Sequence, residues 1–81
     1  MKTLVVDGRA PRRALVCDLL RGDGYDVVET ADPAEAWLRQ QADWFDLIVL
    51  DGAAPAPGGL DLCHRIREQS GGESVVLALI G

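Results

Sequence analysis

The sequence predicts an α/β fold in which a parallel sheet is layered with helices, and three observations carry that prediction. Short apolar runs recur at residues 4–6, 27–28, 47–50 and 75–80. Helix-like segments separate each run from the next, and Gly, Pro or Asp marks most of the junctions. A chain that alternates strand and helix three times before a last strand builds a parallel sheet, and right-handed crossovers leave few topologies for it.

Leu4, Val5 and Val6 form the first strand, which Asp7 and the breaker Gly8 end. Pro11 suits the first turn of a helix. The body of that helix, residues 12–21, carries Ala14, Leu15, Val16, Cys17, Leu19 and Leu20 before Gly22 and Gly24 stop it, and it is apolar over most of its circumference. Tyr25, Val27, Val28 and Thr30 suggest the second strand. Asp32 followed by Pro33 and Glu35 is an N-cap signal, and Ala34, Trp37, Leu38, Ala42 and Phe45 recur at helical spacing, which predicts one buried stripe. Leu47 to Leu50 has the branching of a strand buried on both faces, with Asp51 at its end. Leu60, Leu62, Cys63 and Ile66 mark a third helix that closes at Gly71 and Gly72, and residues 75–80 make a fourth strand.

With 81 residues and 48% hydrophobic composition, the chain fits one domain over residues 1–81. Its core is small, because a chain of this length removes only about 60% of its unfolded surface from water. The net charge of −5 and the scattered placement of the arginines exclude general attraction to DNA or an anionic membrane, so neither is an expected partner. No apolar run approaches the roughly 20 residues that span a bilayer, and Asp7 and Gly8 interrupt the N-terminal apolar stretch, so a cytoplasmic location is expected. Cys17 and Cys63 lie in separate helices without C-x-x-C spacing and read as buried thiols rather than a bridge or a metal site. His64 points about 100° away from Cys63 on a helix and reads as a surface residue. Trp37 and Trp44 read as core or rim packing; Arg12, Arg13 and Arg21 could touch a phosphodonor protein near the active rim, but solvated charges are the commoner explanation. The stretch GRAPRRA after the first strand lacks both G-x-G-x-x-G and the Gly-Lys-Ser of a P-loop.

Chemistry gathers at the strand ends. In an open parallel sheet the ligand crevice lies beyond the carboxyl ends of the strands, and two strands here end in Asp. In a 2-1-3-4 strand order Asp7 and Asp51 emerge on backbones about 4.8 Å apart. Two carboxylates so placed repel unless a cation sits between them, and Mg2+ is a suitable hard ion. Asp51 is then a nucleophile at the rim of a rigid sheet, able to take a phosphoryl group as an aspartyl-phosphate. The plainer reading is that both acids terminate strands and cap nearby amides.

With those residues in place the chain resembles the receiver domain of two-component response regulators over its whole length. Asp51, Pro55 and Gly59 keep the family's spacing of phosphoacceptor Asp, loop-shaping Pro and loop-shaping Gly, and Gly59-Leu60 opens the third helix as the family's Gly-Leu does. GDGYDVVETAD looks like the family's Gly-Tyr link into strand two, and PAEAW resembles its Glu-Ala-Leu start of helix two, with Trp37 in place of Leu. The resemblance implies a flavodoxin-like doubly wound sheet of order 2-1-3-4 and a non-enzymatic signalling role. It implies Asp51 as phosphoacceptor, with a histidine kinase or phosphotransfer protein as phosphodonor.

Three departures qualify that picture. Gly8 stands where receivers carry the second acid of a pair, so the expected Mg2+ site is reduced to Asp7, Asp51 and the backbone carbonyl of Ala53, and is weak. Ile80 stands where the family has the switch Thr or Ser, and an alkyl group donates no hydrogen bond to phosphate. The final helix, strand and helix of a complete receiver have no counterpart, nor does the Lys at the end of the family's fifth strand; Lys2 lies at the wrong end of its own strand to replace it. Part of Leu15, Val16, Leu19 and Leu20 is therefore expected to face water and the fourth strand to be an open edge, surfaces suited to a second copy or a partner domain. Two other roles stay open on sequence alone: a pseudo-receiver that works through contacts without phosphorylation, and a flavodoxin-like cofactor binder.

Overall fold

The computed structural model describes residues 1–51, 59–70 and 75–79. Over them the chain runs β1 (Lys2–Val6), α1 (Ala10–Gly22), β2 (Asp26–Thr30), α2 (Pro33–Ala42), β3 (Leu47–Asp51), α3 (Gly59–Ser70) and β4 (Val75–Leu79). All strand pairs are parallel and the sheet order is β2-β1-β3-β4, the order expected from the sequence. In register, Val5 lies opposite both Glu29 and Val49.

Alternation along the two central strands divides the core. Leu4 and Val6 of β1 and Ile48 and Leu50 of β3 point to one face, where Ala36, Phe45, Leu62 and Ile66 complete a buried cluster beneath α2 and α3. Val5 and Val49 point to the other face and meet Cys17 of α1, with Val16, Leu20, Val27 and Leu47 packed around them. Burying an Ile, Leu or Val side chain is worth about 1.5–3 kcal/mol, so these two clusters are what fix the layers on the sheet.

Helix ends are set by local chemistry. Asp32 is the N-cap of α2, as its sequence signal predicts: its side chain accepts a hydrogen bond from the Ala34 N–H at 2.9 Å, and Pro33 follows. At the end of α1 the Tyr25 N–H donates to the Leu20 carbonyl at 3.1 Å and the Gly24 N–H to the Arg21 carbonyl at 3.0 Å. This paired closure needs a left-handed residue, and Gly24, at φ +87°, supplies it.

One expectation about faces needs correction, that for α2, while the division expected on α1 is observed. The stripe predicted on α2 is not the buried one: Ala36 is the buried residue of the helix, Ala34, Leu38 and Ala42 are exposed, and Phe45 is buried but lies beyond the helix end. Ala36 is the residue through which α2 joins the cluster on the sheet. Trp37 is half-buried, and the Arg65 guanidinium of α3 stacks on its ring at 4.4 Å. On α1 the apolar circumference divides. Val16 and Leu20 pack on the sheet, whereas Leu15 and Leu19 are 60% and 64% exposed.

Candidate functional site

β1 and β3 are neighbours with Val6 opposite Leu50, so one further step of register brings Asp7 opposite Asp51. Side chains alternate along a strand, and both acids therefore share the face of Val5 and Val49, which is the face that α1 covers. The chain turns at Gly8 and enters α1 at Ala10, with Pro11 in the opening turn as the sequence suggested. That start places Arg12 in the first turn of the helix, beside the carboxyl ends of both strands.

Arg12 joins the two acids. Its Nε donates to Asp7 Oδ2 at 2.6 Å and its Nη2 to Asp7 Oδ1 at 3.2 Å, while the same Nη2 lies 2.7 Å from Asp51 Oδ2. The expectation of a solvated Arg12 is thereby corrected: two carboxylates that would otherwise repel draw the guanidinium between them, and its planar fork suits that bridging position. Arg13 is likewise engaged, donating from Nη1 to the Asp7 carbonyl at 2.8 Å and from Nε to Glu29 at 3.3 Å. Arg21 reaches Glu29 and the Val27 carbonyl, both at 3.4 Å, at an exposed position.

Asp7 is 3% exposed. Burial pushes its carboxyl group upward, but the hydrogen bonds from Arg12 and from the Arg9 N–H, with the nearby positive charges, outweigh it and hold Asp7 below the usual carboxylate range. The Arg9 N–H donates to Asp7 Oδ1 at 2.9 Å, so Asp7 also caps the start of α1. Arg12 is held above its ordinary value, chiefly by the hydrogen bond to Asp7.

A divalent ion such as Mg2+ requires oxygen ligands in near-octahedral array at about 2.0–2.1 Å. Here Asp7 Oδ1 already accepts two N–H groups and Oδ2 accepts a third, Asp51 Oδ2 faces the guanidinium, and residue 8 is Gly. Among the described residues the arrangement does not fit the ion. Among the described residues no cluster of three or more His, Cys, Asp or Glu is placed to hold a metal.

The remaining expected positions are distributed as follows. Gly59 is the first residue of α3, as the Gly-Leu spacing suggested. Ala53, Pro55 and Ile80 lie outside the described residues. Cys17 is fully buried, with its thiol pushed up by burial and by Glu29; His64 is exposed and Trp44 half-exposed. Lys2 sits at the opposite end of β1, paired with Asp43 and over the Phe45 ring, so it does not approach the acidic rim. What sequence reasoning missed is the bridging role of Arg12, which it placed near the rim as a solvated charge or a contact for a phosphodonor protein. The signal was its place after a helix-starting Pro, five positions beyond Asp7.

The sequence pattern of the response regulator receiver domain matches residues 3–79. The chain belongs to the response regulator receiver domain family. Relatives of this receiver include the phosphate regulon transcriptional regulatory protein PhoB of Escherichia coli (strain K12), 33% identical over 69 residues, covering 85% of this chain and 30% of PhoB. The alkaline phosphatase synthesis transcriptional regulatory protein PhoP of Bacillus subtilis is 37% identical over 68 residues, covering 84% of this chain and 28% of PhoP. The receiver thus spans less than a third of the length of these relatives. Among solved structures, the chemotaxis response regulator CheY4 of Vibrio cholerae superposes with a TM-score of 0.86 at 32% identity, covering 95% of this chain and 65% of that one. The complex of histidine kinase ThkA with response regulator protein TrrA gives a TM-score of 0.89 at 26% identity, covering 99% and 68%. The flavodoxin-like fold and the 2-1-3-4 strand order expected from the residues are those of the receiver family. No helix among the described residues is long and apolar enough to cross a membrane.

Proposed function

We propose that this receiver takes up a phosphoryl group on Asp51 as a step in two-component signal transduction. The observation that carries the reading is the meeting of Asp51 and Asp7 at one rim of the sheet. Asp51 ends the central strand β3 with its side chain 12% exposed, and Arg12 stands 2.7 Å away to meet negative charge. An Asp51 oxygen attacks the phosphorus of a phosphohistidine or an acyl phosphate. The bond from phosphorus to the donor nitrogen or oxygen breaks, and the leaving group departs with the electron pair. Asp51 is consumed as an acceptor, so the domain is a signalling module rather than an enzyme that turns over a substrate.

A histidine kinase or a phosphotransfer protein is the class of donor this reading implies. Supporting it, TrrA, at 25% identity, has been solved in complex with Mg(2+)-BeF, and one solved complex pairs TrrA with the histidine kinase ThkA. The test is incubation with a small acyl phosphate followed by weighing the intact protein. One added phosphoryl group in the natural sequence and none in Asp51→Asn supports the assignment. An unmodified natural chain, or equal modification of Asp51→Asn, overturns it.

A further inference from the structure

We propose that Arg12 is the built-in cation of the acidic rim: its guanidinium occupies the space between Asp7 and Asp51, excludes a divalent metal, and neutralises charge there in the metal's place. Two observations carry this. The first is geometry, since one nitrogen, Nη2, lies within 3.2 Å of an oxygen of each acid while Nε holds the second oxygen of Asp7. The second is the depleted donor set, because Asp7 has its oxygens committed to three N–H groups and Gly8 contributes none. A metal entering this rim must displace hydrogen bonds to a buried carboxylate and sit beside a fixed positive charge.

At residue 8 itself a side chain larger than hydrogen is not sterically barred. Among the described residues a Cβ built there meets only the Ala31 carbonyl oxygen, at 3.7 Å, an ordinary contact. The rim is arranged around a side-chain cation, whose charge and whose hold on the Asp7 lone pairs oppose a metal. Arg12 has a consequence for phosphoryl transfer as well, and that consequence rests on Asp51 being the acceptor. A guanidinium offers parallel N–H donors to phosphoryl oxygens, so uptake on Asp51 is expected to proceed without a divalent ion.

The binding experiment is a Mg2+ titration of the full chain, read by the backbone amide signals of Asp7, Gly8 and Arg9, and it does not depend on phosphorylation. In the natural sequence these signals stay in place at millimolar Mg2+. In Arg12→Gln they move saturably, with affinity raised about tenfold or more, since a positive charge within about 4 Å of the ion has been removed. Arg12→Gln combined with Gly8→Asp binds more tightly still. Saturation of the natural chain at the same Mg2+ concentration as Arg12→Gln overturns the proposal, as does a folded Arg12→Gln that shows no saturable shift.

A second measurement needs no variant. The Arg12 Nε–H of the natural chain is expected to exchange slowly with water and to keep its position on adding Mg2+; rapid exchange, or release on adding Mg2+, overturns the proposal. The transfer arm compares acyl phosphate uptake with Mg2+ and with a chelator. Equal rates support Arg12 as the working cation, and uptake that requires Mg2+ refutes it. Absence of uptake under both conditions overturns the assignment of Asp51, and the metal titration still decides the role of Arg12.

Discussion

Thr3 offers a sharp test of how the core is built. It lies in the central strand β1, is 0% exposed, and its hydroxyl oxygen has no hydrogen-bond partner among the described residues. A buried hydroxyl without a partner costs about 1–3 kcal/mol relative to its hydrated state. Thr3→Val keeps the branching at Cβ, the strand preference and nearly the same volume, and it removes only the polar atom. The substitution is therefore expected to stabilise the domain by about 1–3 kcal/mol. For a domain of this size each kcal/mol corresponds to about 4–8 °C in Tm. Urea unfolding followed by circular dichroism measures it, with an unchanged slope showing that the unfolded state is the same. A midpoint that stays put or falls refutes the reasoning, because it means the hydroxyl is satisfied where it sits.

Three other outcomes follow from the same structure. Gly24→Ala forces a side chain into the left-handed conformation that closes α1, and is expected to cost about 1–2 kcal/mol in a denaturant titration. Asp32→Ala removes the acceptor for the Ala34 N–H at the start of α2, with an expected loss of about 1 kcal/mol by the same assay. The third concerns pH. Asp7 titrates below its ordinary value in the folded protein, so its contribution to stability is complete above the unfolded carboxylate range near about 4 and is lost as pH falls through the lower folded value. Stability measured across acidic pH should decline on acidification, and Asp7→Asn should remove part of that slope; an unchanged slope would contradict the pairing with Arg12.

Much of the fold was legible because its determinants are local and periodic. The runs at Leu4–Val6 and Leu47–Leu50 declare central strands, the Asp32-Pro33 pair declares the start of a helix, and strict alternation with helices leaves a parallel sheet. The acidic rim was legible for the same reason, since two strands each ending in Asp need only be neighbours for their carboxylates to meet. The face of α2 was not, because Ala34, Ala36, Trp37 and Leu38 support more than one helical stripe. Which stripe is buried is a matter of tertiary packing, and it is Ala36 that joins the cluster on the sheet.

Arg12 was hidden for a different reason. Charge on a helix usually faces solvent, and nothing in its spacing alone distinguishes a solvated Arg from one drawn inward. What draws it in is tertiary: the parity of β1 and β3 puts Asp7 and Asp51 on the face that α1 covers, and the helix start at Ala10 brings residue 12 to the strand ends. The sequence departure at Gly8 and the structural finding at Arg12 are thus linked, one removing an acid from the rim and the other adding a base to it.

The most direct measurement is to locate the modification chemically. After treatment with a small acyl phosphate, borohydride reduction converts an aspartyl-phosphate into homoserine, and peptide mass mapping shows which residue has changed. Homoserine at position 51 and at no other acid is the expected result. Reduction at another Asp or Glu, or none at all in a folded sample, would contradict the account.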